Sequence, residues 1–571
     1  MTEPAILIQD LRYRYRGEKT SALKGVDLAI DRGEFIVLMG ASEAGKSTLV
    51  ASLNGLIPHY HRGRMKGDVT VLGRNTKAYT VAQMAEFVGL VFQDFEAQLF
   101  STNVELEVAF GPENFAIPRD EIARRIDESL AYVGLEAFRH RSPSTLSGGQ
   151  KQKLAIASVL AMHPQVLAMD EPTTDLDPIS KYGIFQITDQ LRKRDDITLI
   201  VVEHETEEAL HADRIALFDA GELVKVGPTR ELLQDVNLLA AHSVMPLGIP
   251  RFFKSMGFAQ KALPLTIDEG VAAFKNQAWR ISDEKYEALV SAEHKELTQL
   301  TEPLIQCREL THTYPNGVQA LQGVDMEIMK GDMVAIVGQN GSGKTTLAKH
   351  FNALLTPTTG EVLVHGESTK KQGVFKIGQT VGYVFQNPDH QIFSETVFDE
   401  VSFSLRIRKM PEATIKKRVE EALAAVGLTG MEEADPFSMT KSGRQRVAVA
   451  SVLAARPEVL ILDEPTTGLD YSEQRGLMNM VQRLNEEGST IIFITHHMWV
   501  VAEYARRVYV IKDGRIFLEG STREVFSHED ALKESFLRPP HFVQFSNRLG
   551  KTLLNPQEML ACMAQDRHHG N

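Results

Sequence analysis

Short runs of apolar, β-branched residues alternate along the chain with segments whose apolar positions recur at helical spacing. Glu34–Met39 reads as a buried strand, and Lys46–Leu56 as a helix opening directly after it. Val166–Met169 and Ile197–Val202 are further runs of strand length, separated by a helical stretch from Ile179 to Lys193. Between Gln93 and Leu146 the pattern turns helical, with Ile122, Ile126 and Leu130 one turn apart, which predicts a separate helical lobe. Strands alternating with helices predict an α/β fold around a parallel sheet covered on both faces.

This pattern occurs twice. Gly40, Ala41, Ser42, Glu43, Ala44, Gly45, Lys46 and Ser47 recur 298 residues later as Gly338, Gln339, Asn340, Gly341, Ser342, Gly343, Lys344 and Thr345. Val91-Phe-Gln93 recurs as Val384-Phe-Gln386, and Met169-Asp-Glu-Pro-Thr-Thr174 as Leu462-Asp-Glu-Pro-Thr-Thr467, both at an offset of 293. A longer loop in the first copy, around Ile57–Lys66, accounts for the five-residue difference. The expected organisation is one copy over 4–233, a connection over 234–303, a second copy over 304–527 and a tail over 528–571. The connection is slightly acidic, with patches of helical pattern. The tail is polar, ends in Arg567-His-His-Gly-Asn571, and is expected to be solvated. Neither segment carries readable chemistry.

Composition narrows the classes. Two cysteines, Cys307 and Cys562, cannot build a disulfide framework or an iron–sulfur or zinc cluster. No run of about 18 apolar residues would span a bilayer, and the first residues lack the pattern of a secretory signal. A formal charge of −13 argues against a general nucleic-acid binder. The expectation is a cytosolic globular protein whose membrane role, if any, runs through partners.

The glycine-rich segment lies where a strand meets a helix. There, backbone N–H groups and the helix dipole cradle phosphate, a lysine reaches the β- and γ-phosphates, and a hydroxyl ligates magnesium. Lys46 with Ser47, and Lys344 with Thr345, fit those roles. Asp170 and Asp463 end apolar strands, where a carboxylate can hold Mg2+ through water. Glu171 and Glu464 follow, placed to polarise an attacking water.

In this order the motifs resemble the ATP-binding cassette (ABC) ATPases, over nearly all of both copies. The resemblance implies two P-loop NTPase cassettes, each a mainly parallel core with an antiparallel β part and an inserted helical lobe. ATP and Mg2+ would be bound. The family signature stands as Leu146, Ser147, Gly148, Gly149 and Gln150, an anion site for a γ-phosphate held by the other cassette. Tyr15 and Tyr314 would stack on adenine. Gln93 and Gln386 would be Q-loop glutamines touching magnesium and the lytic water. Leu176-Asp177 and Leu469-Asp470 match the D-loop, and His204 and His496 the switch histidine, His496 being preferred over His497 because it follows Thr495 directly.

Family members pair cassettes head to tail, here within one chain, each P-loop facing the other copy's signature. The second copy departs from the signature at Met439-Thr-Lys-Ser-Gly443, and the first departs in its P-loop, where Glu43 replaces a usual glycine. An acid there repels phosphate and crowds a tight turn. Both departures fall in one composite site. The other, with Glu464 and His496, is expected to carry most hydrolysis.

After each Q-loop glutamine come Asn387-Pro-Asp-His-Gln391-Ile-Phe393 and Asp94-Phe-Glu-Ala-Gln98-Leu-Phe100, and the first copy continues Glu105-Leu-Glu-Val-Ala-Phe-Gly-Pro-Glu-Asn114. These resemble the energy-coupling factor (ECF) importers of vitamins and metal ions. That family implies a membrane scaffold (T) subunit, a small substrate-binding (S) membrane subunit, no nucleic acid, and a peripheral place on the cytoplasmic face of the membrane. Leu99, Phe100, Ile392 and Phe393 would either receive a scaffold helix or belong to the lobe's core. A fused sugar-type importer ATPase would not be expected to carry the Phe-Gly-Pro-Glu-Asn run. A tandem ABC translation factor would carry a basic arm between its cassettes.

Overall fold

The computed structural model describes residues 3–174, 176–193 and 197–564. It divides into two compact units at Leu265/Thr266, within the segment read above as a connection.

The strand that leads into the first P-loop, Phe35–Gly40, is buried at all six positions. Successive side chains point to opposite sheet faces, so one run of apolar residues serves two cores. Phe35, Val37 and Met39 join the core shared with the helical lobe. Ile36 and Leu38 join the core under an antiparallel sheet. The strand lies inside a six-stranded sheet ordered Glu222–Pro228, Arg214–Asp219, Phe35–Gly40, Thr198–Val202, Val166–Asp170, Val88–Val91. All neighbours are parallel except the edge hairpin formed with Glu222–Pro228. The antiparallel sheet runs Leu23–Ile30, Ile6–Tyr15, Gly63–Val71, Arg74–Asn75.

The second unit repeats the plan. Met333–Gly338 sits between Thr490–Ile494 and Arg507–Lys512, with Val459–Asp463 and Val381–Val384 beyond. The α/β class and mainly parallel core hold in both copies. The inserted lobe is three helices each time: Val104–Asn114, Arg119–Val133 and Gly148–Leu160, then Val397–Ile407, Glu412–Ala425 and Lys441–Leu453.

Two local expectations differ from what is observed. The first P-loop helix ends at Leu53 rather than Leu56, because Gly55 adopts φ 81° and breaks it. The tail is not solvated along the described part. It forms the helices Glu529–Glu534, His541–Arg548 and Pro556–Cys562, and Val543, Phe545 and Met559 are buried. It packs with helices of the connecting segment, Ile267–Asn276 and Asp283–Gln299. Arg548 pairs with Asp268 at 2.7 Å and Ile281 bridges to Met563. The final Arg567–Asn571 stretch lies outside the described residues.

Candidate functional site

Each P-loop wraps on itself through glycines that admit no side chain. A Cβ on Gly40 would lie 2.0 Å from the Phe218 carbonyl oxygen, and one on Gly338 2.2 Å from that of Ile511. A Cβ on Gly45 or Gly343, at φ 95° and 107°, would lie 2.5 and 2.6 Å from the Ala22 and Ala320 carbonyl oxygens. Lys46 Nζ donates to Gly40 O at 2.9 Å and Ala41 O at 2.7 Å, and Lys344 Nζ makes the same pair of bonds to Gly338 O and Gln339 O. Burial lowers the Lys46 pKa against the pull of Glu171 and Asp170. The loops differ at one position. Glu43 holds φ 61° where the second copy has Gly341 at φ 77°, so a side chain is carried in left-handed backbone beside the phosphate cradle.

The P-loop hydroxyls meet the strand-end aspartates. Ser47 Oγ donates to Asp170 Oδ1 at 3.0 Å and Thr345 Oγ1 to Asp463 Oδ1 at 3.2 Å. A hydroxyl and a carboxylate converging this way are hard oxygen donors that suit Mg2+. Burial and the neighbouring Glu171 push the Asp170 pKa up to about 6. Tyr383 Oη also donates to Asp463 Oδ2 at 2.7 Å, a bond that sequence reasoning missed because Leu90 occupies the first-copy position.

Glu171 and Glu464 adopt φ 47° and 50°, strained for a non-glycine residue and held by their surroundings. Glu171 accepts from Gln93 Nε2 at 2.7 Å and Thr174 Oγ1 at 3.1 Å, and lies 2.8 Å from His204 Nε2. Burial would raise its pKa, but the hydrogen bond and charge of His204 override it, down to about 2. In the second copy His496 Nδ1 lies 2.8 Å from Glu464 Oε2, while the ring of His497 turns to Thr466 Oγ1 at 2.9 Å. The Glu464 pKa is likewise lowered, burial being outweighed by His496.

Tyr15 and Tyr314 stand beside the first turn of each P-loop helix, their hydroxyls 3.2 Å from Thr48 Oγ1 and 3.0 Å from Thr346 Oγ1. Ser147 caps the helix Gly148–Leu160 in a reciprocal capping box with Gln150. Gly149 is required where it stands, since a Cβ would lie 2.0 Å from Ser180 Oγ. In the second copy Ser442 takes that place and bonds Glu473, which replaces Ser180. Lys441 stands at the position of Gly148.

The turn after each Q-loop glutamine is held alike in both copies. Gln98 and Gln391 accept from the amides of Phe92 and Phe385. Glu107 accepts from Phe100 N and Ser101 N, and Glu400 from Phe393 N and Ser394 N. The four apolar residues named there separate. Ile392 is in the core and Leu99 is half-buried, whereas Phe100 and Phe393 are 62% and 58% exposed. In the second copy Phe393 lines an open groove of about 300 Å³ with Leu354, Val374, Phe385 and Phe403.

One further cluster escaped the sequence reading. Thr173 Oγ1 lies 2.7 Å from Glu203 Oε1 and 3.2 Å from Glu208 Oε2, the two carboxyls share a hydrogen bond, and Lys181 pairs with Glu205 alongside. Its signal, acids flanking His204, looks like an ordinary solvated helix start.

No helix among the described residues is long and apolar enough to cross a membrane. A family model described as ABC transporter matches residues 23–174 and 321–467. An ABC transporter ATP-binding protein of Caldanaerobacter subterraneus is 53% identical over 564 residues, covering 98% of this chain and 99% of its own. One from Methanosarcina acetivorans is 38% identical, covering 94% and 89%. Among solved structures, cbiO1 from Clostridium perfringens, described as part of the ABC transporter complex cbiONQ, is 36% identical over 43% of this chain and all of its own, with a TM-score of 0.39. Two P-loops, two Asp-Glu strand ends and the matched sequence extend over most of the chain, which belongs to the ABC transporter family as a fused pair of ATP-binding, ATP-hydrolysing cassettes.

Proposed function

We propose that this chain is the motor of an ECF-type importer for a vitamin, metal ion or similar small solute, peripheral on the cytoplasmic face of the membrane. It would work with a T scaffold and an S substrate-binding subunit. The observation that supports this best is the turn after each Q-loop, where buried Glu107 and Glu400 hold exposed Phe100 and Phe393 in place. An apolar side chain kept outward at a fixed point beside a nucleotide-sensing loop suits a scaffold helix.

Lys46 and Lys344 would exchange their carbonyl acceptors for β- and γ-phosphate oxygens. Ser47, Asp170 and Gln93, and in the second copy Thr345, Asp463 and Gln386, would hold Mg2+, which neutralises charge on the transferred phosphoryl group. Glu464, ionised against His496, orients the attacking water, and Gln386 approaches it from the Q-loop; Glu171, His204 and Gln93 are the first-copy set. Tyr15 and Tyr314 would bear the adenines, and Ser147, Gly148, Gly149 and Gln150 the γ-phosphate opposite the second P-loop. We assign most hydrolysis to that site, because Glu43 and the Lys441–Ser442 substitution both burden the other.

Affinity capture of the tagged chain from gently solubilised membranes tests the assignment. A polytopic protein and a small membrane protein should co-purify, and the ligand on the small one would name the cargo. Recovery with ribosomes and no membrane protein would overturn the importer reading and leave the ATPase standing.

A further inference from the structure

The antiparallel sheet of the first unit carries cations in register on its exposed side. Arg12 lies opposite Lys24 on one neighbouring strand and Lys66 on the other, and Arg14 lies opposite Arg64. Arg16 N donates to Arg62 O at 3.0 Å, adding a third pair at the end. The intervening Leu11 and Tyr13 are buried, so these positions turn outward; all seven cations are exposed except half-buried Arg14. Like charges directly opposite destabilise a sheet. Only Arg12 has a carboxylate partner among the described residues, Asp10 at 2.8 Å.

The second unit is an internal control. There Thr311 lies opposite Gln322 and Thr359, its hydroxyl 2.6 Å from that of Thr359, and Thr313 N donates to Thr358 Oγ1. The pairing around Arg12, Lys24 and Lys66 thus forms there without cations, whereas the second-unit strand begins at Thr359, so Arg64 lies on, and Arg62 just before, a strand extension found only in the first unit. The fold therefore does not require cations at the Arg12, Lys24 and Lys66 positions, and in a chain of net charge −13 the whole set stands against the overall balance.

We infer that this sheet face binds the anionic phosphate headgroups of a bilayer. Cations about 4.8 Å apart across strands and about 6.8 Å apart along them form a two-dimensional array suited to a plane of phosphates. The choice of a lipid source rests on the membrane placement proposed above.

Vesicle flotation of the full chain tests it, with phosphatidylcholine alone and mixed with phosphatidylglycerol. The native chain should float with the mixed vesicles only, and less so as salt rises. Arg12→Thr, Arg14→Thr and Lys66→Thr, the residue type found at those positions in the second unit, combined with Arg64→Thr, should weaken flotation by about tenfold or more. Arg14→Lys with Arg64→Lys should retain it. Equal flotation of the threonine variant, loss in the lysine variant, or native binding to an RNA oligomer but not to vesicles would each overturn the inference. No scaffold is present in this experiment, so its failure is separate from failure of the capture experiment.

Discussion

Glu43 is a side chain in a loop position whose counterpart is glycine, and on the function proposed above its cost would fall on nucleotide as well as on folding. Left-handed backbone at a non-glycine residue costs about 1–3 kcal/mol, and a carboxylate in a phosphate-binding loop would repel the nucleotide. Glu464→Gln should therefore lower steady-state ATP turnover by about 100-fold or more, and Glu171→Gln by no more than about twofold. Equal losses in a phosphate-release assay would sink the asymmetry. Glu203 offers a separate residue-scale test. Burial raises its pKa to about 7, above the ordinary 4.5. In that window the folded state holds more protons than the unfolded one, so this group's stabilisation is complete below about 4.5 and is lost as pH rises through about 7. Glu208→Gln removes the second carboxylate of the pair and should flatten the decline. Melting temperatures of both forms between pH ~5 and ~8 check it, and parallel curves would refute it. In the second copy, Thr495 and Val500 occupy these positions.

At the scale of elements, the turn that follows the Q-loop is tied to the helix that follows the signature. Lys151 Nζ lies 2.7 Å from Glu96 Oε1, and Arg444 Nε lies 2.7 Å from Asp389 Oδ1. The residue types differ between copies while the pairing is kept, which shows how Glu96 fills the place of Asp389 although Phe95-Glu96 departs from Pro-Asp. Arg444 also donates to Met439 O at 2.7 Å, inside the altered signature. Both pairs join a half-buried cation to an exposed acid and are worth about 0–1 kcal/mol each. Arg444→Ala in addition leaves the Met439 carbonyl unsatisfied, so it should cost about 1–2 kcal/mol more than Lys151→Ala. Urea titration of the two variants decides this, and equal midpoints would count against it.

For the whole molecule, the connection and the tail form structure together. Arg523, 5% exposed, binds Glu293 at 2.8 Å from the connection and Glu558 at 2.9 Å from the tail. Removing one partner of a buried ion pair leaves charge uncompensated, and Arg523→Ala should cost about 3–5 kcal/mol. A thermal melt unchanged by that substitution would show that the two segments hold together by apolar packing alone.

The motifs of the P-loops, the Asp-Glu strand ends and the α/β alternation were legible in the sequence because each needs particular residues at short spacing. A phosphate cradle is made of consecutive backbone amides, and a strand between two layers must be apolar throughout. Whether a side chain is buried, and what stands across from it, depends on chain segments far apart in sequence. Folding alone separates Ile392 in the core from Phe393 at the surface, turns His496 to Glu464 and His497 to Thr466, and brings Glu293 and Glu558 to one arginine. It likewise sets Arg12 beside Lys24 and Lys66, because strand register arises from long-range pairing and no local pattern encodes it.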